Sequence, residues 1–132
     1  MSNTLKEASL IVDIEGLELL PEDREILQHP LVGGVILFAR NYETPSQVSE
    51  LTQAIGRLSD KRLLITVDQE GGRVQRFSAP FTKLPSSATI KSFFELNGDK
   101  GRELAEATGW LIGAEMRAVG VDLSFTPVLD LD

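Results

Sequence analysis

The segment Val32 to Phe38 reads VGGVILF, and Arg62 to Val67 reads RLLITV. Each is a continuous apolar run rich in β-branched residues, not an alternation of apolar and polar positions. A strand covered on one face alternates with period two. A strand covered on both faces does not, and that is the pattern of a parallel sheet. Parallel neighbours need a crossover connection, because the chain must return to the same end of the sheet. The segment between the two runs supplies one. Thr44-Pro45-Ser46-Gln47 is a capping box with proline at the first helical position, and Val48, Leu51, Ile55 and Leu58 follow at helical spacing.

The same alternation extends in both directions. Leu10-Ile11-Val12 with Ile14 reads as a short buried strand. Pro21, Glu22 and Asp23 open a helix that Pro30 stops near Gln28. Asp68 to Pro85 carry no period and contain Gly71, Gly72, Pro80 and Pro85, so they read as a long functional loop. Ser86 to Leu96 reads as a short helix. Asp99 then caps a long one, with Leu104, Ala107, Leu111, Ala114 and Ala118 on its inner face and Gly120 just past its end. Val121 to Phe125 is the last strand, closed by Thr126-Pro127.

The order β-α-β-α-β-α-α-β predicts an α/β fold of four parallel strands with intervening helices. Two architectures share that order: the N-terminal half of a (β/α)8 TIM barrel, and a small doubly wound sheet. At 132 residues the chain is shorter than the ~200 residues a complete barrel needs. It ends at Asp132, directly after a strand and its loop, with no covering helix. The expectation is therefore that residues 1–132 are a partial barrel domain whose remainder is absent.

Charge and rare residues narrow the function classes. Thirteen Lys and Arg against 20 Asp and Glu leave a net charge of −7, a poor match to nucleic acid or to an anionic membrane surface. There is no cysteine, hence no disulfide, thiolate nucleophile or Cys-ligated zinc, and the single histidine, His29, excludes a multi-His metal site within the chain. The N-terminus has no secretory apolar region, since Asp13 and Glu15 interrupt the only candidate run. The longest uncharged apolar stretch, Leu31 to Ala39, is too short to span a membrane. A cytoplasmic location follows as the default expectation.

In parallel α/β folds ligands lie at the carboxyl ends of the strands. Here those ends are Glu15-Gly16, Ala39 to Tyr42, Asp68 to Phe77 and Thr126 to Asp132. The third is the most informative. Asp68 can accept two hydroxyl hydrogen bonds, as sugar recognition requires, and Arg76 offers a planar fork of donors to oxygen atoms. Gly71 and Gly72 let the backbone turn sharply and approach a ligand. The competing reading is an Asp that satisfies loop amides and an Arg that pairs with Glu70. A phosphate cradle has little support, because neither GxGxxG nor GxxxxGK[ST] occurs.

Other polar residues read more plainly. His29 before Pro30 suits a capping or surface role, its charge matching the helix end. Trp110 reads as packing on the long helix. Asp122 either faces a polar layer or pairs with a helix cation. Glu22, Asp23 and Glu25 form an ordinary helix-start face. Asp130 and Asp132 could serve a site or a solvated turn.

VDQEGGRVQRF (Val67 to Phe77) resembles the sugar-binding loop of bacterial β-N-acetylhexosaminidases of glycoside hydrolase family 3. PEDREILQHP (Pro21 to Pro30), GGVILFARNY (Gly33 to Tyr42) and VDLSFTPVLDLD (Val121 to Asp132) are similar to the same family, in order and at fitting spacing. The resemblance implies a (β/α)8 barrel of which this chain is the N-terminal half. It implies an enzyme that removes terminal β-linked N-acetylglucosamine from muropeptides in the cytosol, during peptidoglycan recycling, with no metal or organic cofactor.

Family members retain anomeric configuration through a covalent intermediate on an Asp, and use a His paired with an Asp as acid/base. This departs from the usual two-carboxylate scheme. Carried over, the resemblance makes Asp68 and Arg76 substrate-binding residues. It places a further substrate Arg, a Lys-His pair, the catalytic His and the nucleophile beyond the position of Asp132, so this chain holds no catalytic residue. His29 lies in the wrong block to be any of those histidines. The runner-up is a small doubly wound module that binds a ligand or partner at its strand ends.

Half a barrel leaves two open edges, around Leu10 to Ile14 and Val121 to Phe125. The isolated chain is thus expected to form a homodimer or to aggregate in place of its missing C-terminal half.

Overall fold

The computed structural model describes residues 9–58 and 61–129. Among them are six strands, β1 (Leu10–Val12), β2 (Val32–Leu37), β3 (Leu64–Val67), β4 (Gln69–Gly71), β5 (Val74–Gln75) and β6 (Leu123–Ser124). The α-helices are α1 (Pro21–Gln28), α2 (Pro45–Gly56), α3 (Ser87–Asn97) and α4 (Asp99–Ala118). β1, β2, β3 and β6 form one sheet in that order, every pair parallel. A doubly wound sheet reverses its strand order at a switch point. This sheet never reverses, which sets the runner-up architecture aside and leaves the wall of a barrel.

Burial says the same. The registers Ile36 with Thr66, Leu37 with Val67, and Thr66 with Leu123 assign side chains to the two faces. Val35, Leu37, Ile65 and Val67 face the helices and are buried together with Val48, Leu51 and Ile55 of α2 and Ile112 and Met116 of α4. Each such aliphatic side chain stabilises the fold by about 1.5–3 kcal/mol. The opposite face carries Ile11, Leu64, Leu123 and Phe125, which stay 39–44% exposed. The first strand, expected to be buried, is instead largely open, because β1 is an edge strand with no strand on its outer side among the described residues. The continuous apolar runs therefore call for a covering layer on each face, and the described residues supply only the helical one.

Local signals explain most element ends. Thr44 Oγ1 accepts the Gln47 N–H at 3.1 Å, while the Gln47 side chain takes the Glu43 N–H at 2.9 Å rather than that of Thr44. The capping box is thus half-formed, shifted outward by one residue. Ser86 caps α3 by accepting the Thr89 N–H. At the end of α4 the Gly120 N–H bonds the Arg117 carbonyl and the Val121 N–H the Met116 carbonyl, the two bonds of a Schellman turn.

Four expectations about helices need correction. Gly98, not Asp99, is the residue preceding the first turn of α4; Asp99 is itself helical and its side chain is exposed. The inner stripe of α4 is Gly101, Thr108, Ile112 and Met116, while Ala107, Ala114 and Ala118 are exposed. Ala107, Ala114 and Ala118 line up on the side of the helix opposite Ile112 and Met116, so periodicity alone offers more than one apolar stripe. Trp110 is 74% exposed. Two residues before Ile112 is about 200° around the helix, the solvent side. Asp23 also departs from an ordinary helix-start face: it is buried and its carboxylate accepts the Leu20 N–H at 3.0 Å.

Candidate functional site

The carboxyl ends of β1, β2 and β3 bring together Asp13, Phe38, Arg40, Asp68 and Arg76. Continuing the period of two from Ile65 and Val67 puts Gln69 on the buried side and Asp68 on the open one. Asp68 is partly exposed, and its Oδ2 accepts a hydrogen bond from Arg76 Nη2 at 3.1 Å. The structure thus joins the two residues singled out from the sequence. The alternative pairing of Arg76 with Glu70 is not the one formed. The Arg76 guanidinium lies 5.7 Å from the centre of the Phe38 ring, and that of Arg40 lies 4.8 Å from the same ring. Arg40 in turn pairs with Asp13 and donates from Nε to the Ile14 carbonyl at 3.1 Å. Two guanidiniums, each answered by a carboxylate, therefore flank one aromatic ring at the strand ends.

The loop after Asp68 is not irregular throughout. β4 and β5 form a small antiparallel hairpin, with Gln69 opposite Gln75 and Gly71 opposite Val74. Its turn needs glycine. Gly71 has φ +93°, and a Cβ there would lie 2.3 Å from the Pro85 carbonyl oxygen. Gly72 has φ +61°, and a Cβ there would lie 2.7 Å from the Ser86 Cβ. The two glycines serve the packing of the hairpin against the segment that leads into α3.

Buried amides hold these loops. Gln69 is fully buried, its Oε1 accepting the N–H groups of Arg76 and Phe77 at 2.9 and 3.0 Å and its Nε2 donating to the Phe77 carbonyl at 3.0 Å. Asn41, also fully buried, accepts the Phe38 N–H and donates to the carbonyls of Ile14 and Gly16. Phe77 stacks on Tyr42 at 5.0 Å between ring centres and meets Phe81 at 5.7 Å. Burial pushes the Tyr42 phenol above its ordinary pKa, and its hydroxyl is shared between the carbonyls of Ser78 and Ala79. Sequence reasoning missed Gln69 and Phe38. The strand period continued past Val67 was the available signal for Gln69.

The remaining candidates lie elsewhere. His29 is exposed, and its Nδ1 accepts the Leu31 N–H at 3.2 Å just beyond the end of α1. Asp122 pairs with Arg62, ahead of β3, at 2.6 Å and accepts the Ile65 N–H at 3.0 Å. Asp130 and Asp132 lie outside the described residues. Among the described residues no three His, Asp or Glu side chains gather as metal ligands would. No helix among them is long and apolar enough to cross a membrane.

The family described as glycosyl hydrolase family 3 N terminal domain matches residues 8–132. This chain belongs to glycoside hydrolase family 3. A β-hexosaminidase of Nitrosomonas eutropha is 57% identical over 123 residues, covering 93% of this chain and 35% of that protein. A β-hexosaminidase of Thioalkalivibrio sulfidiphilus is 52% identical over 122 residues, covering 92% and 35%. Among solved structures, native NagZ from Neisseria gonorrhoeae matches with a TM-score of 0.92 at 40% identity, over 96% of this chain and 38% of that one. A family 3 β-N-acetylglucosaminidase from Paenibacillus matches with a TM-score of 0.82 at 34% identity, over 92% and 23%.

The chain spans about a third of the length of the curated relatives it matches. Its four parallel strands and their helices are the N-terminal half of a TIM barrel. The family 3 fold thereby places the Asp68–Arg76 pair at the barrel mouth, where loops after the strands build active sites.

Proposed function

We propose that this chain is the N-terminal part, residues 1–132, of the catalytic domain of a retaining exo-β-N-acetylglucosaminidase, to which it contributes Asp68 and Arg76 as part of the sugar subsite. One observation carries the reading: the Asp68–Arg76 pair stands at the end of β3 in a family 3 chain whose relatives are named β-hexosaminidases. An ionised carboxylate accepts hydroxyl hydrogen bonds and a guanidinium donates to sugar oxygens, so the pair presents both polarities to a pyranose. The catalytic nucleophile and acid/base belong to the rest of the barrel, as the family resemblance implies. The substrates are N-acetylglucosamine-containing muropeptides, met in the cytoplasm during peptidoglycan recycling. By itself the chain pairs with a second copy, covering through its open edges the apolar face that carries Leu64, Leu123 and Phe125.

Incubation with 4-nitrophenyl N-acetyl-β-D-glucosaminide tests the enzymatic reading. The complete protein carrying this chain releases nitrophenol and N-acetylglucosamine of β configuration, read by NMR before mutarotation. The 132-residue chain alone gives background release. A complete protein inert toward this substrate, or a 132-residue chain whose turnover survives repurification and is lost in Asp68→Ala, would overturn the proposal.

A further inference from the structure

We propose that Gln69 is the positioning residue that sets Arg76 against Asp68; the inference rests on the reading of that pair as part of the sugar subsite. Arg76 lies on the return arm of the loop, seven residues after Gln69, and its own side chain is poorly anchored. Nη2 reaches Asp68, but Nε is buried without a hydrogen-bond partner. A long side chain with an unsatisfied buried N–H does not choose such a place for its own sake. Its backbone has to be held there.

Gln69 does the holding. Its carboxamide meets the main chain of Arg76 and Phe77 as a neighbouring strand would, with two N–H groups on Oε1 and one carbonyl on Nε2. The residue is itself fixed from the other side. Its N–H donates to Ser124 Oγ at 3.0 Å, and Ser124 Oγ donates to its carbonyl at 3.3 Å. Adjacent to Asp68 in sequence and bonded to Arg76 in space, Gln69 therefore sets the separation of the two charged groups from a fully buried position.

The experiment compares Gln69→Met and Gln69→Glu in the complete protein. Methionine keeps the length and removes all three side-chain bonds. Glutamate keeps an acceptor for the Arg76 and Phe77 N–H groups but introduces a buried carboxyl. In crystal structures, Gln69→Met opens the Asp68–Arg76 contact beyond 4 Å, and kcat/KM falls about tenfold. Gln69→Glu keeps the contact and most of the activity while lowering Tm more than methionine does. The activity order is then opposite to the stability order, which a merely structural residue would not produce. In an Arg76→Ala background, Gln69→Met costs no further kcat/KM.

Retention of the contact in Gln69→Met, activity that follows Tm, or additivity in the Arg76→Ala background would overturn the proposal. If Gln69→Met does not fold, Gln69→Glu decides alone: an intact contact and activity at lower Tm support it, and activity lost in step with Tm overturns it. A contact opened in Gln69→Met with unchanged kcat/KM would uphold Gln69 as the positioning residue and sink the sugar-subsite reading instead.

Discussion

Arg76 Nη2 stands 3.1 Å from Asp68 Oδ2, an ion pair closed across eight residues of chain by a glycine hairpin. The side chains keep 29% and 23% of their surface exposed, so the pair is neither a screened surface contact nor a buried one that must satisfy itself. It engages one oxygen of the carboxylate, Oδ2. That leaves the arrangement open to a ligand hydroxyl without breaking the pair.

Asp68→Asn in the complete protein keeps the shape of the side chain and removes its charge. Hydrogen bonds to a charged group are worth roughly 1.5–3 kcal/mol. Loss of such a contact lowers kcat/KM by about one to two decades per bond. Steady-state kinetics on the chromogenic substrate check this, and unchanged KM and kcat would make Asp68 structural.

Gly71→Ala collides with the Pro85 carbonyl and forces alanine to adopt φ +93°. Substitution of a glycine held at positive φ destabilises by more than the ~1 kcal/mol that a compatible site would gain. The expected result is a lower Tm together with reduced activity, because the hairpin carries Arg76. Thermal unfolding and kinetics on the same preparation test it; an unaltered Tm would show that the turn is not constrained by Pro85.

Asp122 links stability to pH. Burial alone would push its carboxyl up, but the Ile65 N–H and the Arg62 guanidinium outweigh burial and hold it below its ordinary value. A depressed carboxylate contributes stability that is fully present above its unfolded pKa of ~3.9 and is lost as pH falls through the lower folded value. Arg62 is mostly exposed and screened, so the bond from Ile65 carries most of the effect. Asp122→Ala costs about 1–3 kcal/mol at pH 7. Urea unfolding at pH 7 and near pH 3 should show the gap to wild type narrowing on the acid side, and a gap independent of pH would contradict the assignment.

The isolated 132-residue chain elutes at the mass of two copies or aggregates. The β1 and β6 edges and the apolar face between them provide the driving force. Its net charge of −7 opposes association only weakly, since separations beyond ~8 Å are screened at physiological salt. Light scattering after size exclusion gives the mass. A stable monomer with well-dispersed amide signals would show that the chain covers this face by itself.

The sequence by itself determined the elements whose signals are local. VGGVILF and RLLITV required parallel strands with crossovers, Thr44-Pro45 set where α2 begins, and Gly120 set where α4 ends. The block from Val67 to Phe77 marked Asp68 and Arg76. In each case a few adjacent residues carry the whole signal, through φ, side-chain capping or a run of apolar positions. The tertiary structure alone decided which stripe of α4 turns inward, because several apolar stripes compete and only the packing against the sheet selects Ile112 and Met116 over Ala107 and Ala114. It alone decided that Arg76 answers Asp68 rather than Glu70, and that the Gln69 carboxamide meets the main chain of Arg76 and Phe77. Those are contacts between backbones brought together by a hairpin, and the free energy that chooses among them depends on burial and hydrogen-bond geometry that no short stretch of residues encodes.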